Sequence, residues 1–243
     1  MPRNYRRKKA ASKIARAFRR YRKRKPTMAT KIKRLQEKVY ADDQEGWIDN
    51  NQTMSAGAGG DVFGTFCALE QIPQGNNHDE RTGDKITVHK LQMKGLVQVA
   101  IGDVYNEYRL IIFSVGQAPG VTNAAPGIPQ VTDILQDGDL YSFYKKKSRI
   151  KYKIHYDHVF KLSNALASVG TTVPTALNGC PYPDFIHWEK TLYFKNHEVW
   201  YTRPTIGNPS KGGIYALVIS NSLNQIPTGH PQMVMKTRLT YSR

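Results

Sequence analysis

The body of this chain alternates. Between residues 149 and 162, Ile150, Tyr152, Ile154, Tyr156, Phe160 and Leu162 are apolar at even positions. Arg149, Lys151, Lys153, His155, Asp157 and Lys161 interleave at odd ones. Side chains of an extended strand point alternately to its two faces, so this pattern predicts one face on a core and one in water. Leu91, Met93, Val97, Val99 and Ile101 repeat the pattern, as do Met233, Met235, Leu239 and Tyr241. Ile186, Trp188, Leu192 and Phe194 follow it with Lys190 out of phase. Residues 62–72, 108–115 and 214–220 are further apolar runs. The last is apolar on both faces, which predicts an interior strand.

Long connections rich in Gly, Pro and Asn separate these runs, at 116–129, 167–183 and 201–213. A short helix is expected at 131–136. Strands are expected near 62–72, 85–102, 105–115, 149–156, 158–163, 185–195, 213–221 and 232–242. Eight antiparallel strands with long alternating connections suit an all-β, double-sheet jelly-roll sandwich. The sequence shows no internal repeat.

Charge changes the picture. Residues 1–38 hold 17 of the 36 basic residues and a single acid, Glu37, leaving 19 basic against 18 acidic residues for the rest. A nearly neutral body thus carries a polycationic arm, assigned to residues 1–40. Such an arm repels itself in solution and becomes favourable when phosphates replace its counterions. It is expected to be disordered when free and able to form a helix when bound, since Ala10, Ile14, Ala17, Phe18 and Tyr21 fall at helical spacing. The nucleic-acid-binding candidates are Arg3, Arg6, Arg7, Lys8, Lys9, Lys13, Arg16, Arg19, Arg20, Arg22, Lys23, Arg24 and Lys25. The dense cluster at 19–25 also fits a nuclear-import signal. The narrow apolar face of the arm weighs against a membrane-surface role. Residues 41–61, with Asp42, Asp43, Glu45, Asp49 and the glycine-rich 57–60, are expected to be a flexible tether. Residues 62–243 then form the folded domain.

A second basic strip, Lys145, Lys146, Lys147, Arg149, Lys151 and Lys153, reads either as the wet face of an edge strand or as a body patch for a polyanion. The tyrosines alternating with it are expected on the core side, away from the basic face. His155 and His158 are expected on opposite strand faces, and no histidine set makes a metal site. Asp133, Asp137 and Asp139 are expected to be a polar turn. Nucleotide-loop, nucleophile-elbow and paired-cysteine motifs are absent from the sequence, so no catalytic residues and no cofactor are assigned. Two cysteines, Cys67 and Cys180, suit a reducing compartment. The opening Met1-Pro2-Arg3-Asn4-Tyr5-Arg6-Arg7 predicts no secretory signal, and the apolar run Leu110-Ile111-Ile112-Phe113 is too short to cross a bilayer, so no membrane insertion is expected.

Several segments resemble known sequences. Arg81-Thr82-Gly83-Asp84-Lys85-Ile86-Thr87-Val88-His89-Lys90-Leu91 is similar to a stretch entering an early strand. Residues 152–162, carrying Tyr156-Asp157, resemble an apolar-x-Tyr-Asp-x-x-aromatic-x-Leu segment. Lys190-Thr191-Leu192-Tyr193-Phe194-Lys195, Gly213-Ile214-Tyr215-Ala216-Leu217-Val218-Ile219-Ser220 and Thr237-Arg238-Leu239-Thr240-Tyr241 are similar to later strands. With the basic arm, these resemble the capsid proteins of circular, Rep-encoding single-stranded DNA viruses, the circovirus and geminivirus-like group. The resemblance implies a homo-oligomeric icosahedral shell of about sixty subunits. It implies a packaged single-stranded DNA genome, a host nuclear-import receptor as partner, and residence in the virion and the host nucleus. The coat of a small single-stranded RNA satellite virus shares this layout. A cellular nucleic-acid-binding protein with a basic tail is the rival from another class, and it would spread its basic residues over the folded surface.

Overall fold

The computed structural model describes residues 28, 31–32, 45–99, 105–116, 128–145, 151–163, 183–202, 207–223 and 230–243. The chain divides into two compact units, Met1–Gln44 and Glu45–Arg243. In the first, Met28, Lys31 and Ile32 are described; they are helical and exposed.

The second unit is a sandwich. Its strands are β1 (Glu45–Ser55), β2 (Asp61–Phe63), β3 (Lys85–Gln98), β4 (Tyr105–Val115), β5 (Tyr152–Ser163), β6 (Phe185–Trp200), β7 (Ile214–Ser220) and β8 (Gln232–Ser242). One sheet has the order β1-β8-β3-β6 and the other β2-β7-β4-β5. Every strand pairing within them is antiparallel. Consecutive strands from β1 to β4, and from β5 to β8, alternate between the sheets, which is the winding of a jelly roll.

The core lies between the sheets. Leu91, Met93 and Val97 of β3 with Met233, Met235, Leu239 and Tyr241 of β8 face Tyr108, Leu110 and Ile112 of β4 and Ile214, Ala216 and Val218 of β7. The expected interior strand is there: all seven residues of β7 are buried, between β2 and β4. The reason is a second apolar layer. Ile111, Phe113 and Val115 of β4 and Tyr215, Leu217 and Ile219 of β7 leave the other face of the sheet. They pack under Ile134, Leu135 and Leu140, carried by a one-turn helix α1 (Val131–Ile134) and the turn after it. Arg109 pins this cover: it donates to the carbonyls of Leu140 and Ser142 at 2.8 and 3.1 Å and forks onto Asp157 at 3.0 and 2.8 Å.

The expected tether is mostly strand. Residues 45–55 form β1, paired along its length with β8 from Glu45↔Ser242 to Ser55↔Gln232. Its acids stay in water, and Asp49 meets Arg238 across the strands at 2.6 Å. The glycine-rich part is a fixed turn into β2: Gly60 has φ +67°, and a Cβ there would stand 2.6 Å from Ile219. The run 62–72 is strand only to Phe63. Beyond it two 3-10 turns, hinged at Ala68 with φ 58°, drop Phe66, Cys67 and Leu69 into the core. The helix at 131–136 is shorter than expected, and the two strands expected at 149–156 and 158–163 are one, β5.

β5 holds the most consequential departure. Tyr156 pairs with Ile112, but Ile154 pairs with Phe113, so His155 is an extra residue and the strand bulges there. A bulge inserts one position and slips the alternation. Phe160 and Leu162 therefore serve the core between the sheets, with Tyr156 packed against it, while Tyr152 and Ile154 serve the outer layer. The expected single apolar face of 150–162 is thus two faces, one on each side of the bulge.

Candidate nucleic-acid interface

The thirteen arm candidates from Arg3 to Lys25 lie outside the described residues, as do Lys146, Lys147 and Arg149 of the second strip. The strip's remaining members separate. Lys145 is half-buried, its amide bonded to the Ile134 carbonyl at 3.0 Å under the outer cover. Lys151 and Lys153 are exposed and line a cleft of about 340 Å³ with Lys211 and Asn196.

Two irregularities build this cleft. The bulge at His155 turns Lys153 away from the outer layer that holds Tyr152 and Ile154. Across from it β6 breaks register against β3, with Asn196 in the left-handed region at φ 51°. The base is backbone: Gly116 donates to the Lys151 carbonyl and Gly212 to that of Val115, both at 2.8 Å. Gly212, at φ +75°, allows this approach, since a Cβ there would lie 2.0 Å from the Glu198 carbonyl oxygen.

Beneath the rim two histidines meet. His155 of β5 hydrogen-bonds Ser114 at 2.8 Å, and its ring stands edge-on to Phe194 and His197 of β6, with centroids 4.8 and 5.9 Å away. His197 donates from Nε2 to the Gly212 carbonyl at 2.7 Å. Burial, followed by the nearby His197 and Lys153, lowers the His155 pKa to about 4. Burial also lowers that of His197, against the hydrogen bond to Gly212 and with help from Lys153. Both rings are therefore neutral at neutral pH, and the positive charge of the cleft comes from its lysines.

The bulge overturns the expected opposition of His155 and His158. His155 reaches the facing sheet, and His158 stands beside Tyr156 and Phe160 on that same side. Among the described residues no group of three His, Cys, Asp or Glu is placed to hold a metal ion. Two of the three aspartates near α1 cap the local backbone, Asp133 accepting from the Gln130 amide at 3.0 Å and Asp139 from the Tyr141 amide at 3.1 Å, while the Asp137 amide donates to Ser142 Oγ at 2.7 Å. Tyr152 faces away from Lys151 and Lys153 as expected, but the bulge brings Tyr156 to the inner side of the sheet, the side that Lys153 also takes. Tyr156 lies parallel to Trp188 at 6.1 Å, and the out-of-phase Lys190 sits 5.5 Å over its ring.

Lys211, Asn196 and His197 were not singled out by the sequence. No local signal marks them: they belong to other runs and join β5 only through the fold. No family model and no curated protein matches this chain.

Proposed function

We propose that this chain is a viral capsid subunit that assembles into a closed shell and packages single-stranded DNA. One observation carries the reading: a jelly-roll domain of nearly balanced charge is joined to a segment with 17 basic residues and one acid. The two parts divide the work. The sandwich supplies a rigid tile, and its exposed Tyr141, Phe143, Tyr193 and Leu223 are the side chains that neighbouring subunits would cover. The arm neutralises phosphate with release of condensed cations and little base selectivity. Residues 19–25 double as the signal read by a nuclear-import receptor.

Expression of the full chain and electron microscopy of the purified product test this. Particles of uniform size containing nuclease-protected nucleic acid are expected. A monomer that ignores nucleic acid at every salt concentration refutes it. Nuclease typing of cargo from natural particles separates DNA from the RNA of a satellite-type coat.

A further inference from the structure

We propose that the cleft between β5 and the loop before β7, walled by Lys151, Lys153 and Lys211, is a docking site on the body for the phosphodiester backbone of single-stranded nucleic acid. The proposal rests on the capsid reading above and adds to it a contact that the arm does not make.

Unpartnered cations gather at this point of the domain. Elsewhere on it five cations hold carboxylates, Lys85 with Glu198, Lys94 with Glu189, Arg109 with Asp157, Lys161 with Glu107 and Arg238 with Asp49, all at 2.6–3.5 Å, whereas Lys90, Lys190, Lys195 and Lys236 are spread over the β1-β8-β3-β6 sheet without such a pair among the described residues. Among the described residues no carboxylate lies within ion-pair distance of Lys151, Lys153 or Lys211. The acid lining the cleft is Glu198, and Lys85 engages it at 3.0 Å. Lys211 also acts at longer range on Glu198, helping to lower its pKa, but three ammonium groups around one concavity outnumber that single carboxylate, and an anion between them adds a favourable partner.

The lining selects phosphate over base. Of its two aromatic rings, Tyr152 is 8% exposed and packed into the outer layer, and His197 is held by the Gly212 carbonyl and packed against His155 and Phe194, so neither offers an open face for stacking. What faces it is lysine, the exposed Asn196 and glycine backbone, a surface that grips charge without reading sequence. The volume of about 340 Å³ accepts one or two phosphate groups with water. The β5 bulge serves the cleft, because a regular β5 would send Lys153 to the opposite face.

The test compares three full-length chains: the natural one, K151Q/K153Q/K211Q, and an arm variant with Arg19, Arg20, Arg22 and Lys23 changed to Gln. Binding of a fluorescent oligothymidine is measured across a salt series. Each phosphate contact on a single strand contributes a slope of about 0.7 in log affinity against log salt, so the cleft variant should lose about 2. K151R/K153R/K211R should restore the slope. In the natural chain, inorganic tripolyphosphate should shield Lys153 and Lys211 from acetylation, read by mass spectrometry.

A cleft variant with an unchanged slope, beside an arm variant whose slope falls, overturns the cleft and leaves the capsid reading standing. A lower slope without shielding by tripolyphosphate also overturns the cleft, because the loss is then one of general charge. Absence of salt-dependent binding in the natural chain overturns both.

Discussion

Acidification should loosen the seam between β5 and β6 well before the carboxylates titrate. The perturbation is a fall in pH from 7 to about 4.5, compared between the natural chain and His155→Gln. In the folded protein His155 titrates at about 4, because burial, then His197 and Lys153, disfavour the cation. In the unfolded chain it titrates near 6.5. Between those values the unfolded chain takes up a proton that the folded one refuses. The stability held by neutral His155 is therefore complete above pH 6.5 and drains as the pH falls toward 4. Each tenfold difference in proton affinity is worth about 1.4 kcal/mol, which gives roughly 3 kcal/mol for the whole gap. The ring keeps partial access to water, and screening reduces this to about 2 kcal/mol. The assay is urea unfolding of the full-length chains at several pH values, followed by circular dichroism. The natural chain should lose about 2 kcal/mol more than His155→Gln between pH 7 and 4.5. Parallel stability curves for the two chains would refute the reasoning.

Truncation gives a sharper test of the domain boundary. A chain lacking residues 1–44 should keep its strand content and cooperative melting, whereas one lacking 1–61 should not fold, because β8 loses its β1 partner and the core loses Met54. D157N should destabilise by about 3 kcal/mol in thermal or urea melts, since it strips the carboxylate from a largely buried Arg109. R109M, which removes the cation as well, should be milder if packing is kept. G212A should cost about 2 kcal/mol or more, given its positive φ and a contact of 2.0 Å to the Glu198 carbonyl oxygen. G59A, where nothing lies within 4 Å of the added carbon, is its neutral control in the same melts.

Much of the sandwich was legible because burial on one or both faces writes itself into strand sequences. The runs at 85–102, 105–115, 185–195, 213–221 and 232–242 all became strands within a few residues. β1 was not legible, and its composition explains why. Of its inward positions only Gly46, Ile48 and Met54 lack a polar side chain, alongside Asn50 and Gln52. Its extended form comes from hydrogen bonds to β8, a partner nearly two hundred residues away, rather than from its own pattern. The slip in β5 was hidden for another reason. Both faces of the β2-β7-β4-β5 sheet are buried, so apolar residues stay at even positions through the bulge although they change layers at His155. The basic strip was visible only as a run of charge. Nothing in its order foretold that Lys151 and Lys153 would join Lys211, since that meeting depends on two irregular strands ending at the same place.

The pairing of Glu45 with Ser242 puts the root of the first strand and the end of the last one side by side, a single strand spacing of about 4.8 Å apart. Whatever is attached after Arg243 therefore starts out from the same corner as the residues that precede Glu45. In the shell proposed above, a fluorescent or enzymatic passenger appended there would lie on whichever side of the wall that corner faces. Antibody access to such a passenger on the proposed particles would report which way that corner is turned.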